Sequence, residues 1–212
     1  MQNKLVVIGA GGLATQLIDD LQQQYGPYLC FVDQVTQPPP QQFFGYLVCS
    51  TLQQVTDWYG PAPFPLIVAV GATVQRAALW HQWLQWGRPV SIISKQAIVS
   101  PHARISTMGC LLLSRCLVEA EASMEQGCLI NAGAQIHHHV RLGEFATIGP
   151  GALLLGGCSI GRDTEVGAGA IILPGITVGD NCIIGAGALV TKDVPDGTTV
   201  VGMPAKPIHP TT

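Results

Sequence analysis

The sequence has few charged residues for its length. Only 11% of its 212 residues are Asp, Glu, Lys or Arg, aromatic residues make up 6%, and the formal net charge is -3. Basic runs are missing, so neither nucleic acid nor an anionic membrane is an expected partner. The hydrophobic fraction of 48% is too high for a disordered chain. We therefore expect a folded chain of one large or two small domains.

Long apolar runs and export signals are also lacking. Gly, Pro or Gln interrupts every apolar stretch before it reaches the length of a transmembrane helix, and the N-terminus does not resemble a signal peptide. We expect a cytoplasmic protein. The seven cysteines form no Cys-x-x-Cys pair, so packing explains them better than disulfides or zinc.

A six-residue period runs through the second half of the sequence. An aliphatic residue, or once Met, occupies fourteen successive positions six apart: Leu112, Val118, Met124, Ile130, Ile136, Leu142, Ile148, Leu154, Ile160, Val166, Ile172, Val178, Ile184 and Val190. A period of six fits neither the 3.6-residue turn of a helix nor the alternation of a flat strand. Each hexad therefore predicts a short strand and a turn, and the whole segment predicts a parallel β-helix.

Three hexads would form one triangular coil, so residues about 18 apart are expected to stack at the inter-strand spacing. The aliphatic residues would point inward. Glycines that directly follow them are expected to mark tight bends: Gly143, Gly149, Gly161, Gly167, Gly179 and Gly185. Residues 99–111 keep the pattern with one extra residue and predict an irregular first coil.

The segment before the repeats alternates between strand and helix patterns. The predicted strands cover residues 4–8, 29–32, 66–70 and 90–93, the helices run from the glycine turn to about Gln24 and over 73–86, and residues 37–42 form a proline-rich loop. This alternation predicts a small parallel, Rossmann-like sheet. We therefore place one α/β domain at residues 1–97 and the β-helix at residues 98–212.

A glycine turn follows the first predicted strand. Gly9-Ala-Gly-Gly12 would let main-chain N–H groups approach a phosphate at the helix N-terminus, and Asp33 after the second strand could bind a sugar hydroxyl. Ala14 stands where a dinucleotide fingerprint has its third glycine, so a tight turn without a ligand is the alternative. If a ligand binds, a nucleotide or nucleotide sugar fits this short domain better than NAD.

Three consecutive histidines interrupt the apolar repeat. His137, His138 and His139 occupy a predicted corner, where side chains would point outward and where an imidazole, with an unperturbed pKa near 6.5, suits a general base. A solvated polar corner is the alternative. Zinc binding is disfavoured because adjacent ligands fan out, and the γ-carbonic anhydrase pattern fails because Leu142 and Glu144 lie five residues after His137 and His139.

One coil after His138 lies Gly156. A bare main chain beside the imidazole would leave room for a substrate, and its N–H could stabilise an oxyanion. This combination is typical of acyl transfer.

At this point the chain resembles the sialic acid O-acetyltransferase (NeuD-like) family of bacterial sugar acyltransferases, which includes the nucleotide-aminosugar N-acetyltransferases of bacillosamine and perosamine synthesis. The resemblance covers nearly the whole length. It rests on Ile8-Gly-Ala-Gly-Gly12, Phe31-Val-Asp33, Val68-Ala-Val-Gly71, Ile130-Asn131, Ile136-His-His-His-Val-Arg-Leu-Gly-Glu144 and Val201-Gly-Met-Pro-Ala-Lys206.

The resemblance implies a left-handed β-helix and a homotrimer with acetyl-CoA between neighbouring protomers. It implies that His138 is the general base, that Asn131 and His139 belong to the catalytic site, and that Gly156 donates to the oxyanion. The acetyl-CoA contacts would fall on Thr147, Gly156, Ala168 and Ala186. The nucleotide-sugar contacts would fall on Gly11, Gly12, Leu13, Asp33, Gln34 and Gly71. No metal is implied.

The chain departs from the family pattern at several of these positions. His139 stands where the aminosugar enzymes have a Glu after the base, Thr147 replaces a His, and Gln34 replaces the second Asp after the second strand. Glu144, His137 or a neighbouring protomer are the candidates for supporting the base.

We therefore expect an acetyl-CoA-dependent N-acetyltransferase that acts on a nucleotide-linked amino sugar by direct transfer. O-acetylation of sialic acid or a related sugar is the enzymatic alternative. A trimeric binding protein without catalytic activity is the alternative from another class.

Overall fold

The computed structural model describes residues 4–36, 38 and 40–208. The chain divides into two compact units, Met1–Ser91 and Ile92–Thr212. This division lies six residues before the expected boundary at residue 97, because Ile92–Ile93 pairs with a strand of the second unit.

The first unit is an α/β unit built on a six-stranded sheet. Its elements are β1 (Leu5–Ile8), α1 (Gly12–Tyr25), β2 (Leu29–Val32), β3 (Gln42–Phe43), β4 (Tyr46–Cys49), α2 (Leu52–Tyr59), β5 (Phe64–Val68), α3 (Thr73–Trp83) and β6 (Gly87–Pro89). The strand order is β3-β4-β2-β1-β5-β6, and every pairing is parallel except that of β3 with β4. The alternation of strands and helices has therefore produced the expected Rossmann-like parallel sheet.

The amphipathic pattern of α1 explains its position. Its buried residues recur at helical spacing and form one apolar stripe: Leu13, Ala14, Leu17, Ile18 and Leu21. The shorter α2 begins with a capping box, in which the Thr51 side chain accepts from the Gln54 N–H and the Gln54 side chain accepts from the Thr51 N–H.

Two sequence-based expectations for this unit need correction. The predicted fourth strand at residues 90–93 is wrong, because β6 ends at Pro89 and Ile92–Ile93 joins the second unit. The structure also contains β3, β4 and α2, which are too short to show a clear period in the sequence. Gln37 and Pro39 of the predicted proline-rich loop lie outside the described residues.

The second unit is a parallel β-helix of very short strands. In chain order these are β7 (Ile92–Ile93), β8 (Ile98–Val99), β9 (Arg104–Ile105), β10 (Leu111–Leu112), β11 (Leu117–Val118), β12 (Ser123–Met124), β13 (Leu129–Ile130), β14 (Gln135–Ile136), β15 (Arg141–Leu142), β16 (Thr147–Ile148), β17 (Leu153–Leu154), β18 (Ser159–Ile160), β19 (Glu165–Val166), β20 (Ile171–Ile172), β21 (Thr177–Val178), β22 (Ile183–Ile184), β23 (Leu189–Val190), β24 (Thr199–Val201) and β25 (Lys206–Pro207).

These strands form three sheets, which we call first, second and third. The orders are β25-β24-β22-β19-β16-β13-β10-β7, β23-β20-β17-β14-β11-β8 and β21-β18-β15-β12-β9. Residues 18 apart pair in the regular coils, as Leu112 with Ile130 and Ile136 with Leu154. The first coil uses 19 residues, as in the pairing of Val99 with Val118, so the expected extra residue lies before β10.

All fourteen aliphatic positions of the hexads point into the β-helix core, where none is more than 4% exposed. The seven cysteines of the chain are buried free thiols, and five of them belong to this core: Cys110, Cys116, Cys128, Cys158 and Cys182. The hexad period therefore predicted the inward face correctly.

Two sets of glycines shape the corners, for different reasons. The predicted bend glycines are instead needed for close packing between coils, since a Cβ on Gly167 would lie 2.6 Å from the Ala186 nitrogen. The left-handed turn position comes later in each hexad and is often glycine, as at Gly157 with a φ of 74°. His139 holds this position with a φ of 61°.

Candidate active site

The three histidines follow β14, the third-coil strand of the second sheet. We call this turn, with the equivalent turns one coil away (residues 119–121 and 155–157), the histidine corner. The His138 and His139 rings are exposed and meet edge to face at 84°, with their Nδ1 atoms 3.1 Å apart. This distance makes the two imidazoles a hydrogen-bonded pair, in which one Nδ1 donates and the other accepts.

His137 differs from its two neighbours. Its side chain is 26% exposed, and its Nε2 atom is buried without a hydrogen-bond partner among the described residues. The expectation that all three imidazoles point into solvent is therefore wrong for His137. This ring is held inside the corner and does not belong to the exposed pair.

Gly156 lies directly against the His138 imidazole. A Cβ added to Gly156 would lie 2.4 Å from His138 Cε1 and 2.7 Å from Nε2. The bare main chain thus gives space to the imidazole itself, whereas the sequence suggested space for a substrate. Within the described part of the chain the Gly156 N–H has no acceptor, so it is available to a ligand.

Sequence reasoning missed Glu119, which contacts the same corner. Its Oε2 accepts a hydrogen bond of 2.9 Å from the His138 main-chain N–H and lies 3.3 Å from His137 Nδ1. The available signal was the spacing, because residue 119 lies one 18-residue coil before residue 137. Glu144, which we considered as a support for the base, instead accepts a hydrogen bond from Gln126.

A cavity of about 530 Å³ opens beside the histidine corner. Its lining is mostly apolar and comes from two coils and the corner: Ile98, Val99, Ser100, Pro101, Leu117, Val118, Glu119, Ala120 and His138. Glu119 and His138 are the titratable side chains among these residues. An exposed imidazole in a mostly apolar cavity is an arrangement suited to general base catalysis.

The residues expected to contact acetyl-CoA lie mainly at another corner. Ala168 and Ala186 are exposed one coil apart in the turns after the first sheet, and Thr147 is an outward residue of β16 in that sheet. Asn131 occupies an equivalent turn after β13, where its side-chain amide donates to the Ile148 carbonyl at 2.9 Å. Within one chain, these residues and the His138–Gly156 pair therefore occupy different corners.

The first unit places the predicted nucleotide-sugar residues at the carboxyl ends of its strands. Gly11 is the N-cap of α1 and Gly12 its first residue; both are exposed and a Cβ on either would meet open space. Leu13 is only 7% exposed, so its side chain packs in the core of the unit and is not available to a ligand. The carbonyl of Gly71, after β5, accepts a 2.9 Å hydrogen bond from the buried Arg76.

Asp33 and Gln34 line a cavity of about 60 Å³ at the same edge of the sheet. The Asp33 carboxylate accepts hydrogen bonds from the Val35 and Thr36 N–H groups at 2.9 and 3.0 Å. Burial raises the pKa of Asp33, but the hydrogen bonds from Thr36 and Val35 together outweigh burial and hold this pKa below its ordinary value. The Asp33 carboxylate therefore stabilises the main chain of the loop that follows it, and it also lines the cavity.

Among residues 4–36, 38 and 40–208, no group of three or more His, Cys, Asp or Glu side chains could hold a metal ion. No helix in that part of the chain has the length and apolar character needed to cross a membrane.

Comparison with known proteins shows which family the chain belongs to. The model of the bacterial transferase hexapeptide (six repeats) matches residues 157–192. No curated protein sequence matches the chain. Among solved structures, the perosamine N-acetyltransferase of Caulobacter crescentus, in complex with CoA and GDP-perosamine, is 30% identical over 97% of each chain with a TM-score of 0.87.

Two further solved structures cover the full length. The acetyltransferase domain of PglB from Neisseria gonorrhoeae, in complex with acetyl coenzyme A, is 31% identical over 98% of this chain and 100% of that chain, with a TM-score of 0.88. WeeI from Acinetobacter baumannii shares the fold at 24% identity and a TM-score of 0.79, over 97% of this chain and 99% of that chain. The chain belongs to the bacterial hexapeptide transferase family of acyltransferases.

Proposed function

We propose that this protein transfers an acetyl group from acetyl-CoA to the amino group of a nucleotide-linked sugar, as a NeuD-like member of its family. The observation that carries the proposal is the exposed His138 imidazole, which lines the cavity at the histidine corner and also lies against the bare main chain of Gly156. The similarity to sugar acetyltransferases solved with CoA and GDP-perosamine or with acetyl coenzyme A supports the substrate classes.

In the proposed mechanism His138 Nε2 removes a proton from the acceptor amine as the amine attacks the thioester carbonyl. For Nε2 to be a base, His138 must carry its other proton on Nδ1 and donate it to His139 Nδ1, 3.1 Å away. The Gly156 N–H stabilises the oxyanion. The carbon–sulfur bond breaks as the carbonyl re-forms, and the CoA thiolate leaves with the proton from His138. No covalent bond to the protein is made.

The acetyl-CoA site in this proposal is shared between protomers of a homotrimer. Ala168 and Ala186 precede the second sheet and His138 follows it, so both corners flank the same face of the β-helix. Outward residues of that face are largely apolar, namely Ile98, Leu117, Leu153, Ile171 and Leu189. Those of the third sheet are polar, namely Arg104, Ser123, Arg141, Ser159 and Thr177.

An apolar face of this extent favours burial against further copies of the chain. Association through the second sheet would bring the His138 corner of one protomer toward the Ala168 corner of another. Small side chains at Ala168 and Ala186 leave space there for a ligand. A left-handed coil, as in the family that the sequence resembles, is part of this proposal.

The nucleotide-sugar site in this proposal lies in the first unit. The α1 N-terminus at Gly11 and Gly12 offers unhindered N–H groups to a phosphate. Asp33, Gln34 and Gly71 surround the same edge of the sheet and would contact the nucleoside. Main-chain groups dominate this site, which suits a diphosphate more than a particular base.

A CoA-release assay tests the proposed function. Purified protein is given acetyl-CoA with UDP-, GDP- and dTDP-linked 4-amino sugars or with free sialic acid. We expect turnover with at least one amino sugar, a loss of kcat of at least about 100-fold in His138→Asn, and unchanged acetyl-CoA binding by calorimetry.

The matched control is His102→Asn, which changes another exposed corner histidine and should keep full activity. Turnover of sialic acid and of no amino sugar would contradict the proposal and indicate O-acetylation. Absence of acetyl-CoA binding would also contradict the proposal and indicate a binding protein without acetyltransferase activity.

A further inference from the structure

Two groups of the histidine corner lie within contact distance of one carboxylate oxygen of Glu119. Glu119 Oε2 accepts from the His138 main-chain N–H at 2.9 Å and faces His137 Nδ1 at 3.3 Å. Glu119 lies on the preceding coil, so this oxygen joins two coils at the residue proposed as the base. The charge-assisted hydrogen bond from the His138 N–H restricts the rotation of this carboxylate.

The buried nitrogen of His137 defines the role of that ring. A proton on Nε2 would be a buried donor without a partner, which is costly. Nδ1, which lies 3.3 Å from Glu119 Oε2, is therefore the ring nitrogen of His137 that faces a possible partner.

The other charged or titratable groups in the equivalent turns and the strands that follow them are His102, Arg104, Glu121, His139 and Arg141. Arg141 donates a hydrogen bond of 3.1 Å to the Ser159 hydroxyl. Arg104 and Glu121 form an exposed ion pair of 2.8 Å, whose charges offset each other. His139 is paired with His138 as described above. Glu119 is thus the carboxylate in direct contact with the His137–His138 segment, and it lines the same cavity as the His138 ring.

We propose that Glu119 is the positioning residue of the general base, a deduction that rests on the proposed function. Its first effect is geometric, because the bond to the His138 N–H fixes the main chain from which the imidazole projects. Its second effect is electrostatic, because a nearby negative charge stabilises the imidazolium that forms when His138 accepts the proton. Glu119 thereby supplies the carboxylate that position 139 lacks.

Two variants separate these effects. Glu119→Gln keeps an acceptor oxygen for the His138 N–H but removes the charge, so we expect kcat/KM to fall about tenfold at neutral pH and its acid limb to move to lower pH. Glu119→Ala removes both, so we expect a loss of kcat of about 100-fold with little change in the KM for acetyl-CoA. Glu125→Gln, an exposed carboxylate without these contacts, is the control and should match the wild type.

A readout independent of turnover keeps this inference separate from the proposed function. The histidine Cε1–H resonances are followed by NMR across pH, with His138 assigned through His138→Asn. The His138 midpoint should fall in Glu119→Gln and stay constant in Glu125→Gln. A His138 midpoint unchanged within about 0.2 pH units in Glu119→Gln would overturn the electrostatic role, even in an enzyme that proves fully active.

If the wild type acetylates no sugar but the His138 midpoint still falls, the proposed function fails and the coupling of Glu119 to His138 stands. If Glu119→Ala retains wild-type kcat, the geometric role is refuted. Circular dichroism and thermal unfolding of both variants show whether they are folded, and Glu119→Gln preserves the inter-coil hydrogen bond should Glu119→Ala fail to fold.

Discussion

The Nδ1 atoms of His138 and His139 lie 3.1 Å apart, so one ring nitrogen of His138 is hydrogen-bonded to a second imidazole. A neutral imidazole orients the base as a carboxylate would, but stabilises its protonated form less. In the proposed mechanism the base therefore has an imidazole as its orienting partner and a carboxylate one coil away.

Substitution of His139 should change the pH dependence in a defined order. His139→Glu replaces the neutral acceptor by a charged one and should move the acid limb of kcat/KM to higher pH than in the wild type. His139→Leu removes the acceptor and should lower kcat about tenfold or more. Steady-state kinetics from pH 5 to 9 measure both, and the same acid limb in all three proteins would contradict this coupling.

The main-chain conformation of His139 predicts a conflict between stability and activity. A φ of 61° strains a residue with a Cβ, so His139→Gly should raise the free energy of unfolding by about 0.5 to 1 kcal/mol while lowering kcat. Arg115→Gly is the control, because Arg115 is exposed and has a φ of 59° at an equivalent turn. Chemical denaturation should show a similar gain for both, and equal activity loss in both would argue against a special role for His139.

Gly156 should tolerate no side chain. Gly156→Ala would place a methyl group 2.4 Å from His138 Cε1, so the ring must move and kcat should fall at least about 100-fold. In Gly157→Ala the added Cβ meets open space, but the alanine must keep the main-chain φ of 74°. The free energy of unfolding should therefore fall by about 1 kcal/mol, while kcat stays unchanged. Kinetics and thermal unfolding of the two neighbours would reveal the contrast, and an active Gly156→Ala would contradict it.

We expect the Asp33 carboxylate to make a pH-dependent contribution to the free energy of unfolding. Its pKa in the folded protein lies below its ordinary value, so the ionised carboxylate stabilises the fold above the unfolded pKa, and this contribution disappears as the pH falls through the folded pKa. Asp33→Asn keeps the acceptor geometry without the charge. It should unfold at a lower temperature than the wild type at pH 7, with a difference that shrinks as the pH falls below the ordinary carboxyl pKa of about 3.9. A difference that stays constant as the pH falls would refute the assignment.

The core cysteines should be unreactive in the folded protein. Burial raises the pKa of Cys116 to about 11 and that of Cys158 to about 12, so little thiolate exists at pH 8. Ellman's reagent should therefore label these thiols slowly in the native protein and rapidly in denaturant. Fast labelling of Cys158 in the native state would show that the coil opens at the histidine corner.

The β-helix was predictable from the sequence because its pattern is local and repeated. Each hexad buries one aliphatic residue and places one turn, so the period alone indicates the strands, the inward face and the corner on which the histidines lie. In the first unit the same reasoning found the longer strands and helices. It missed β3, β4 and α2, whose few residues complete no recognisable period.

Only the tertiary structure decided how the atoms of residues on successive coils contact one another. The contact of Glu119 with His137 and His138, the close approach of Gly156 to the imidazole and the burial of His137 Nε2 depend on the register between successive turns and on side-chain rotamers. The sequence by itself determined the strands, the core and the presence of a histidine corner, since these follow from local burial. How that corner is held and oriented depends on side-chain rotamers and on donor–acceptor geometry between coils, which the 18-residue spacing does not encode.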